Sequence, residues 1–350
     1  MNMMKLTMSL LLAANTSVVL AQPSIAELIE LNNSIMSVSV ELAGGDTGTG
    51  SGVVINNNYV ATDCHVLVNA KGVSIAKFGV AYQPVALKAD WKHDLCLLKF
   101  DSLPFKSVPM RDSASLQYEE EVFTVSHPYH SQVPQPSYGN IKAIYPLDDS
   151  VIVRSSAQFA MGSSGGAMFD QHFNLVGITT FKSPGRQGYF YSLPVEWIKR
   201  LFDAPDLIKL NSAEVPFWGL PESHRPFFMQ IVGPFQQQQW GELNRIAQAW
   251  IAKEPKNADA WYYLAEAALG LKNTGLNNNS VAKQYLTKAI ALNQRHLAAQ
   301  VELANIAINE GNKLEAEKLR DTVNSLDTDE AESLTTQIAK MVITPSKTSS

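Results

Sequence analysis

Residues 161–168 have the sequence Met-Gly-Ser-Ser-Gly-Gly-Ala-Met, and this stretch decides which fold and chemistry to expect. A serine hydroxyl is a weak nucleophile at neutral pH and needs an adjacent base. Glycines on both sides of Ser164 let the backbone turn, so that N–H groups can converge on a developing oxyanion. We therefore predict that Ser164 is a nucleophile and that the N–H groups of Gly162 and Ser164 form an oxyanion hole.

Two segments nearer the N-terminus supply the partners that such a serine requires. His65 ends the run Tyr-Val-Ala-Thr-Asp-Cys-His, and Asp94 lies in the run Lys-His-Asp-Leu-Cys-Leu-Leu. Histidine can take the serine proton near neutral pH, and a carboxylate on its second nitrogen fixes the tautomer and stabilises the imidazolium. The three segments predict a catalytic triad of His65, Asp94 and Ser164.

The sequence around these segments has the texture of a β protein. From about residue 34 to residue 193, short runs rich in Val, Ile, Tyr and Phe alternate with clusters of Gly, Pro, Asn and Asp. This pattern is typical of an antiparallel barrel or sandwich. Residues 194–202 predict one short helix that closes the domain, with proline in its first turn.

The C-terminal third has a helical pattern instead. Between Pro255 and Pro345 there is no proline, and Ala, Leu, Glu, Lys and Gln dominate. We predict helices at 238–252, 258–270, 280–292, 296–309, 312–325 and 328–341. Ala282 and Ala316 are 34 positions apart, so this part resembles tetratricopeptide repeats. A generic helical bundle is the alternative.

A proline- and glutamine-rich linker, residues 206–237, is predicted between these two parts. Its aromatic residues are expected to pack the contact between the domains; they are Trp218, Phe227, Phe228 and Phe235.

In the order His65, Asp94, Ser164, the three motifs resemble the trypsin/chymotrypsin-like serine proteases, and among them the bacterial HtrA/Deg type. The similarity covers residues 34–202, and Gly162–Gly166 resembles the Gly-Asn-Ser-Gly-Gly motif with Ser163 in place of asparagine. The resemblance implies an all-β double barrel of chymotrypsin type, with six strands in each barrel and the site between them. An all-α helical repeat domain of tetratricopeptide type then follows, where HtrA-type proteases usually carry a PDZ domain.

Finer details of the site are implied by the same resemblance. Thr180 would support the triad aspartate, and residues 180–182 would pair with an extended substrate. The remaining substrate-binding residues would be Ala157, Gln158, Phe159, Thr179, Phe181, Lys182 and Tyr189. None of these is acidic, so we expect a small or apolar residue before the cut. With Ser163 beside the nucleophile, we expect no zymogen cleavage, and activity would depend on the ordering of the loops at 129–140 and 184–188.

Both cysteines of the chain, Cys64 and Cys96, lie on the segments that carry His65 and Asp94. We predict a disulfide behind the triad, with two buried free thiols as the alternative. His93 is expected to point away from Asp94 and to be exposed. The histidines of 126–130 are interpreted as loop residues, and we predict neither a metal site nor a cofactor.

Residues 1–21 are predicted to be a signal peptide, with small residues at the cleavage site before Gln22. An N-terminal membrane anchor is the alternative. We expect an exported protein, periplasmic or secreted, without a membrane span once the signal is removed. The net charge of −5 argues against nucleic-acid binding. The predicted domains are a protease domain at 22–205, the linker, a helical domain at 238–343 and a disordered tail at 344–350.

These observations predict a serine endopeptidase that forms an acyl-enzyme at Ser164 and acts on a protein or peptide substrate. The helical repeats would recruit a protein or peptide partner. The alternative is a catalytically inert scaffold that binds partners through the helices.

Overall fold

The computed structural model describes residues 22–42, 44–183, 188–208, 212–271 and 278–341. The predicted signal peptide, most of the 184–188 loop and the predicted tail lie outside the described residues. Within the described residues, a helix α1 (Ile25–Asn32) precedes the first strand. Ser24 and Glu27 form a reciprocal capping box at its start.

The first β unit is an antiparallel sheet. Seven strands of the described residues form it: β1 Ile35–Leu42, β2 Thr47–Asn56, β3 Tyr59–Asp63, β4 Ala70–Lys77, β5 Val80–Tyr82, β6 Ala86–Asp90 and β7 Leu95–Lys99. Hydrogen-bonded neighbours follow the order β5-β4-β1-β2-β3-β7-β6. The family resemblance implied six strands here. The additional strand is β5, which pairs with β4 across a tight turn where Phe78 and Gly79 both have positive φ.

The second β unit is a closed barrel. Its strands are β8 Glu121–Ser126, β9 Gln135–Leu147, β10 Ser150–Ser155, β11 Gly166–Asp170, β12 Leu175–Lys182 and β13 Phe190–Leu193. They close in the order β10-β13-β12-β11-β8-β9. The helix α2 (Val195–Leu201) follows, as predicted. The first β unit, a seven-stranded sheet that forms a half-barrel, and the closed barrel of the second unit together confirm the predicted chymotrypsin-like fold class.

The two β units meet where the loop before β11 crosses β2. The Ser51 N–H donates to the Ser164 carbonyl at 2.7 Å. Gly165 has φ +84°, and a Cβ there would lie 2.2 Å from the Ser51 carbonyl oxygen. Only glycine fits so close an approach in this backbone conformation, which explains one glycine of the motif.

The C-terminal part is helical, as predicted. Its helices are α3 Phe227–Gln230, α4 Val232–Gln236, α5 Trp240–Lys253, α6 Ala258–Gly270, α7 Asn278–Leu292, α8 Leu297–Asn309, α9 Lys313–Asn324 and α10 Thr328–Ala339. Side chains of Asn257, Asn312 and Asp327 cap three of them at the N-terminus. Within the described chain, every helix is too short or too polar to span a bilayer. The tetratricopeptide assignment stays a prediction.

The proline-rich segment between the two parts lies against the β units. Leu207 pairs with Leu87 of β6, and the Phe217 N–H donates to the Lys92 carbonyl at 2.9 Å. Phe228 is buried and stacks on Tyr145 of β9, with ring centroids 4.4 Å apart. Phe227, Phe228 and Phe235 belong to or pack against the core that continues from the barrel into α5 and α6, which confirms their predicted packing role. The prediction is wrong for Trp218, whose ring contacts lie within the β units.

Candidate active site

The segments of His65 and Asp94 are hydrogen bonded through the backbone. His65 lies in a 3₁₀ turn, Cys64–Leu67, directly after β3. The Cys64 N–H donates to the Asp94 carbonyl at 3.0 Å, and the His65 N–H donates to Asp94 Oδ1 at 2.7 Å. Asp94 itself has φ +64°, a left-handed conformation that aspartate adopts more readily than most residues. These backbone hydrogen bonds fix the position of the Asp94 carboxylate independently of its contact with the imidazole.

The three predicted triad residues meet in one hydrogen-bonded relay. His65 Nδ1 lies 2.7 Å from Asp94 Oδ2, and His65 Nε2 lies 3.0 Å from Ser164 Oγ. The His65 side chain is 29 % exposed, whereas that of Asp94 is 1 % exposed. This geometry places a base within reach of both the serine proton and an incoming substrate, with its orienting carboxylate shielded from water.

Two hydrogen bonds fix the backbone just before the nucleophile. The Tyr129 N–H donates to the Met161 carbonyl at 2.7 Å, and the Ser51 hydroxyl donates to the Gly162 carbonyl at 2.8 Å. Because a trans peptide points its N–H opposite to its carbonyl, the first bond also fixes the direction of the Gly162 N–H. Among the described residues, no acceptor takes the N–H of Gly162 or Ser164. The assignment of these two N–H groups to an oxyanion hole stays a prediction.

Ser163 is fully buried beside the nucleophile. Its hydroxyl accepts a hydrogen bond from Ser126 Oγ at 2.8 Å, and its carbonyl accepts one from Thr179 Oγ1 at 2.7 Å. Hydroxyl groups thus satisfy the hydrogen-bonding groups of Ser163, and no charged N-terminal amine is needed beside the nucleophile. The arrangement is consistent with the prediction that no zymogen cleavage is needed.

Cys64 and Cys96 form a disulfide, with their Cα atoms 5.0 Å apart. The bridge joins the turn that carries His65 to β7, the strand that Asp94 precedes. The disulfide prediction is confirmed, and neither cysteine remains as a free thiol.

Two sequence predictions about this neighbourhood are wrong. The Thr180 hydroxyl donates to Asp63 Oδ1 at 2.9 Å, so it does not support Asp94; its carbonyl instead lies 3.3 Å from Ser164 Oγ. His93 is buried rather than exposed, and its ring nitrogens lie 2.7 Å from carboxylate oxygens of Asp90 and Asp148. His93 lies within the turn of residues 91–94, before β7 begins, so strand alternation does not set the direction of its side chain.

Asp63 places a second buried carboxyl in the site, which sequence reasoning missed. Its Oδ2 lies 3.9 Å from His65 Nδ1 and has no hydrogen-bond partner among the described residues. Burial, and next the charge of Asp94, raise the pKa of Asp63 well above its usual value. The sequence held one signal for it, an aspartate two positions before the histidine.

Trp218 is the second residue that sequence reasoning missed. Its indole N–H donates to Asp94 Oδ2 at 2.9 Å, and its ring meets His65 edge-on, with centroids 5.4 Å apart. The residue lies 124 positions after Asp94, in the proline-rich segment. No motif or spacing in the sequence connects it with the triad.

The predicted substrate-binding residues divide into two groups. Ala157, Thr179 and Phe181 are buried, and Phe181 stacks on Tyr191 at 4.7 Å, so its ring belongs to the core. The other four are more accessible: Gln158 and Lys182 are exposed, and Phe159 and Tyr189 are half-buried. The pocket assignment stays a prediction for this second group.

One cluster among the described residues has the composition of a metal site. Ligand atoms of Asp63, His65 and Asp94 all lie within 4.8 Å of one another. A cation there would have to displace the hydrogen bond between His65 Nδ1 and Asp94. The hydrogen-bonded relay accounts for the cluster without a metal.

His127 is buried with Nδ1 at 2.8 Å from the Ser131 carbonyl, as suits a loop residue.

Comparison with known proteins matches residues 50–178 to the family of trypsin-like peptidase domains. Serine endoprotease DegS of Haemophilus influenzae is 24 % identical over 200 residues, covering 53 % of this chain and 58 % of the relative. A probable periplasmic DegP-like serine endoprotease of Buchnera aphidicola is also 24 % identical, covering 43 % of this chain and 35 % of the relative. The chain thus spans only part of the length of these relatives.

Two solved structures also match part of the chain. An HtrA-type protease, AlgW with tripeptide, matches with a TM-score of 0.46 and 22 % identity, covering 51 % of this chain and 62 % of that chain. The active form of the Rv3671c protease from M. tuberculosis matches with a TM-score of 0.47 and 15 % identity, covering 55 % of this chain and 92 % of that chain.

Proposed function

We propose that the protein is a serine endopeptidase, from the premise that residues 50–178 match the family of trypsin-like peptidase domains. The observation that carries the proposal is the relay from Asp94 through His65 to Ser164, with bonds of 2.7 and 3.0 Å. A nucleophile, a base and an orienting carboxylate in this order supply the groups that acyl transfer requires.

In the proposed mechanism, Ser164 Oγ attacks the scissile carbonyl carbon while His65 Nε2 takes its proton. Asp94 holds the imidazole through Nδ1 and stabilises the imidazolium that forms. The N–H groups of Gly162 and Ser164 stabilise the oxyanion. His65 then gives its proton to the leaving amine, which leaves an acyl-enzyme on Ser164. Water, activated by the same imidazole, hydrolyses that ester and regenerates the serine.

The proposed substrate is an extended peptide that adds to the edge of β12. The pairing of β12 with β11 begins at Thr179 and Gly166, so beyond Thr179 this edge is unpaired within the described strands. On its other side, Phe181 and Lys182 pair with β13. The unpaired backbone runs beside Ser164, since the Thr180 carbonyl lies 3.3 Å from its hydroxyl. Main-chain hydrogen bonds at such an edge bind a peptide regardless of most of its side chains.

We further propose that the protein is exported and that its helices recruit a protein or peptide. A disulfide beside the triad is typical of an oxidising compartment, and one relative carries the word periplasmic in its name. The helical part is packed directly against the second barrel. A partner bound to the helices would therefore be held close to the peptidase domain.

A fluorophosphonate probe tests the enzymatic proposal, because it reacts only with a serine activated as the relay requires. The full-length protein should be labelled on Ser164, as mapped by mass spectrometry, and Ser164→Ala should abolish labelling. Peptidase activity in that variant should fall by about 10⁶-fold, as in a comparable serine protease that loses its nucleophile.

Ser102→Ala is the matched control, because Ser102 is an exposed serine outside the site; its labelling should equal that of the unaltered protein. A folded wild-type protein that takes up no label at any pH would contradict the proposal. That result would favour the scaffold, which binds partners without cleaving them.

A further inference from the structure

Asp94 accepts three hydrogen bonds, and only two of them come from the His65 segment. The backbone N–H of His65 donates to Oδ1, and the imidazole Nδ1 lies against Oδ2. The third donor is the indole N–H of Trp218, at 2.9 Å from Oδ2. The Thr180 hydroxyl is directed to Asp63 instead. Among the described residues, Trp218 is therefore the one side chain besides His65 that donates to this carboxylate.

The surroundings of Trp218 fix its ring in place. The preceding residue, Phe217, is buried, and its N–H donates to the carbonyl of Lys92, two positions before Asp94. The indole ring stacks near Phe181, with centroids 5.8 Å apart at 22°. Its edge-on contact with His65 covers one side of the imidazole. Backbone and ring contacts thus hold the N–H at the carboxylate.

We propose that Trp218 is a positioning residue of the triad, so that a segment after the peptidase domain completes the active site. The proposal rests on the proposed function, since it assigns Trp218 a part in the same relay. The indole shares the charge on Oδ2 with His65 and keeps the carboxylate plane aligned with the imidazole. Its ring also excludes water from the hydrogen bond between His65 and Asp94, which strengthens that bond.

The segment beyond Trp218 connects this contact with the helices. The Leu220 carbonyl accepts a hydrogen bond from Arg225 Nε at 2.6 Å, and the chain then enters α3. There Phe227 stacks on Trp250 of α5 at 6.2 Å. The donor to the triad carboxylate is consequently anchored on the helical domain as well as on the peptidase domain.

The test removes the N–H and keeps the ring. Replacing Trp218 by 3-benzothienylalanine substitutes sulfur for the indole N–H in a bicycle of the same shape, and Trp218→Phe is the genetically simpler variant. Both should lower kcat about tenfold, the effect of losing a hydrogen bond to a charged group. KM should stay at the wild-type value, because neither variant changes the groups proposed to bind the peptide. The dependence of kcat/KM on pH should also change, because Asp94 no longer shares its charge between the imidazole and the indole; Asp63 flanks the imidazole in both proteins.

Trp261→Phe is the matched control. Its indole N–H also donates to a protein oxygen, the Pro255 carbonyl at 3.0 Å, but far from the triad; kcat and the pH profile should remain those of wild type. In proton NMR, the low-field resonance of the proton between His65 Nδ1 and Asp94 Oδ2 gives a readout that is independent of turnover. It should shift in both Trp218 variants and not in Trp261→Phe.

Wild-type kcat, pH profile and low-field resonance in the benzothienylalanine variant would overturn the inference. Failure of Trp218→Phe to fold does not prevent the test, because the benzothienylalanine variant retains the packing. If wild-type protein takes up no fluorophosphonate, the proposed function fails, while the resonance still decides whether Trp218 acts on the relay.

Discussion

At the scale of single residues, the unusual feature of the site is a pair of carboxyl groups on one side of His65. Asp94 is satisfied by three donors. Asp63 Oδ1 accepts a hydrogen bond from the Thr180 hydroxyl, whereas Asp63 Oδ2 is buried and has no partner among the described residues. Two carboxylates this close cannot both ionise without a large cost. Burial, and next the charge of Asp94, therefore raise the pKa of Asp63 well above its usual value.

Asp63→Asn tests this raised pKa through stability. Because the pKa of Asp63 is raised in the folded state, the folded protein holds that proton to higher pH than the unfolded chain does. Stability from this group is therefore present below the unfolded pKa of about 4 and is lost as pH rises toward the folded value. Asparagine has no such proton. The free energy of unfolding of Asp63→Asn should therefore increase relative to that of wild type as pH rises, by up to about 1.4 kcal/mol per pH unit.

Urea unfolding between pH 4 and pH 8 measures the difference. Asp101→Asn, at an exposed aspartate, is the control and should follow wild type. Parallel curves for Asp63→Asn and wild type would show that Asp63 is ionised in the folded protein.

At the scale of elements, three independent links join the turn after β3 to β7 and the residue that precedes it. They are the two backbone N–H bonds to Asp94 and the disulfide behind them. The carboxylate and the imidazole are thus held in register by groups that take no part in proton transfer. Such support is what keeps a catalytic geometry within a fraction of an ångström.

Replacing both cysteines, Cys64→Ala with Cys96→Ala, should lower the free energy of unfolding by about 4 kcal/mol. The bridge closes a loop with a sequence separation of 32, and restricting a loop of that size in the unfolded chain accounts for this amount. Chemical denaturation with and without reductant gives the measurement. Wild type under reducing conditions should approach the variant, and equal stability of all samples would contradict the prediction.

At the scale of the whole molecule, the second barrel and the first long helices share one core. Buried side chains continue from Tyr145 and Tyr191 in the barrel through Phe228 to Trp250 and Tyr263 in the helices. Polar contacts cross the same boundary: Tyr118 donates to Asp259 of α6, and Arg154 donates to the Tyr263 hydroxyl at 3.2 Å. Because the two parts share this core, we expect the barrel and the helices to unfold in one cooperative transition.

Phe228→Ala should therefore destabilise barrel and helices together. Loss of a fully buried aromatic ring costs about 3–5 kcal/mol, and calorimetry should still show a single transition at a lower temperature. Leu314→Ala, at a leucine 80 % exposed, is the control and should melt as wild type. Two separate transitions, with only the helical one displaced, would mean that the shared core does not couple the parts.

Much of this arrangement follows from the sequence, and what does not has a physical reason. The triad, the disulfide and the helices were predictable because motifs and periodicity are local along the chain. Trp218 and the hydroxyl partner of Thr180 were not, because each depends on which side chains tertiary packing brings within 3 Å. The burial of His93 was missed for the same reason, since Asp148 reaches it from a different β unit.

The contacts of Leu207 and Trp218 with the β units have a practical consequence for the design of shorter forms of this protein. Neither the family match, which stops at residue 178, nor the predicted boundary at residue 205 includes the Leu207 pairing or the indole on Asp94. A form that ends at residue 178 would be cut within β12 and would lose β13, whereas a form that ends at residue 205 would keep both β units. Either form would contain the three triad residues and lack the indole N–H that donates to Asp94. The smallest piece suited to enzymology has to extend past the second of those contacts.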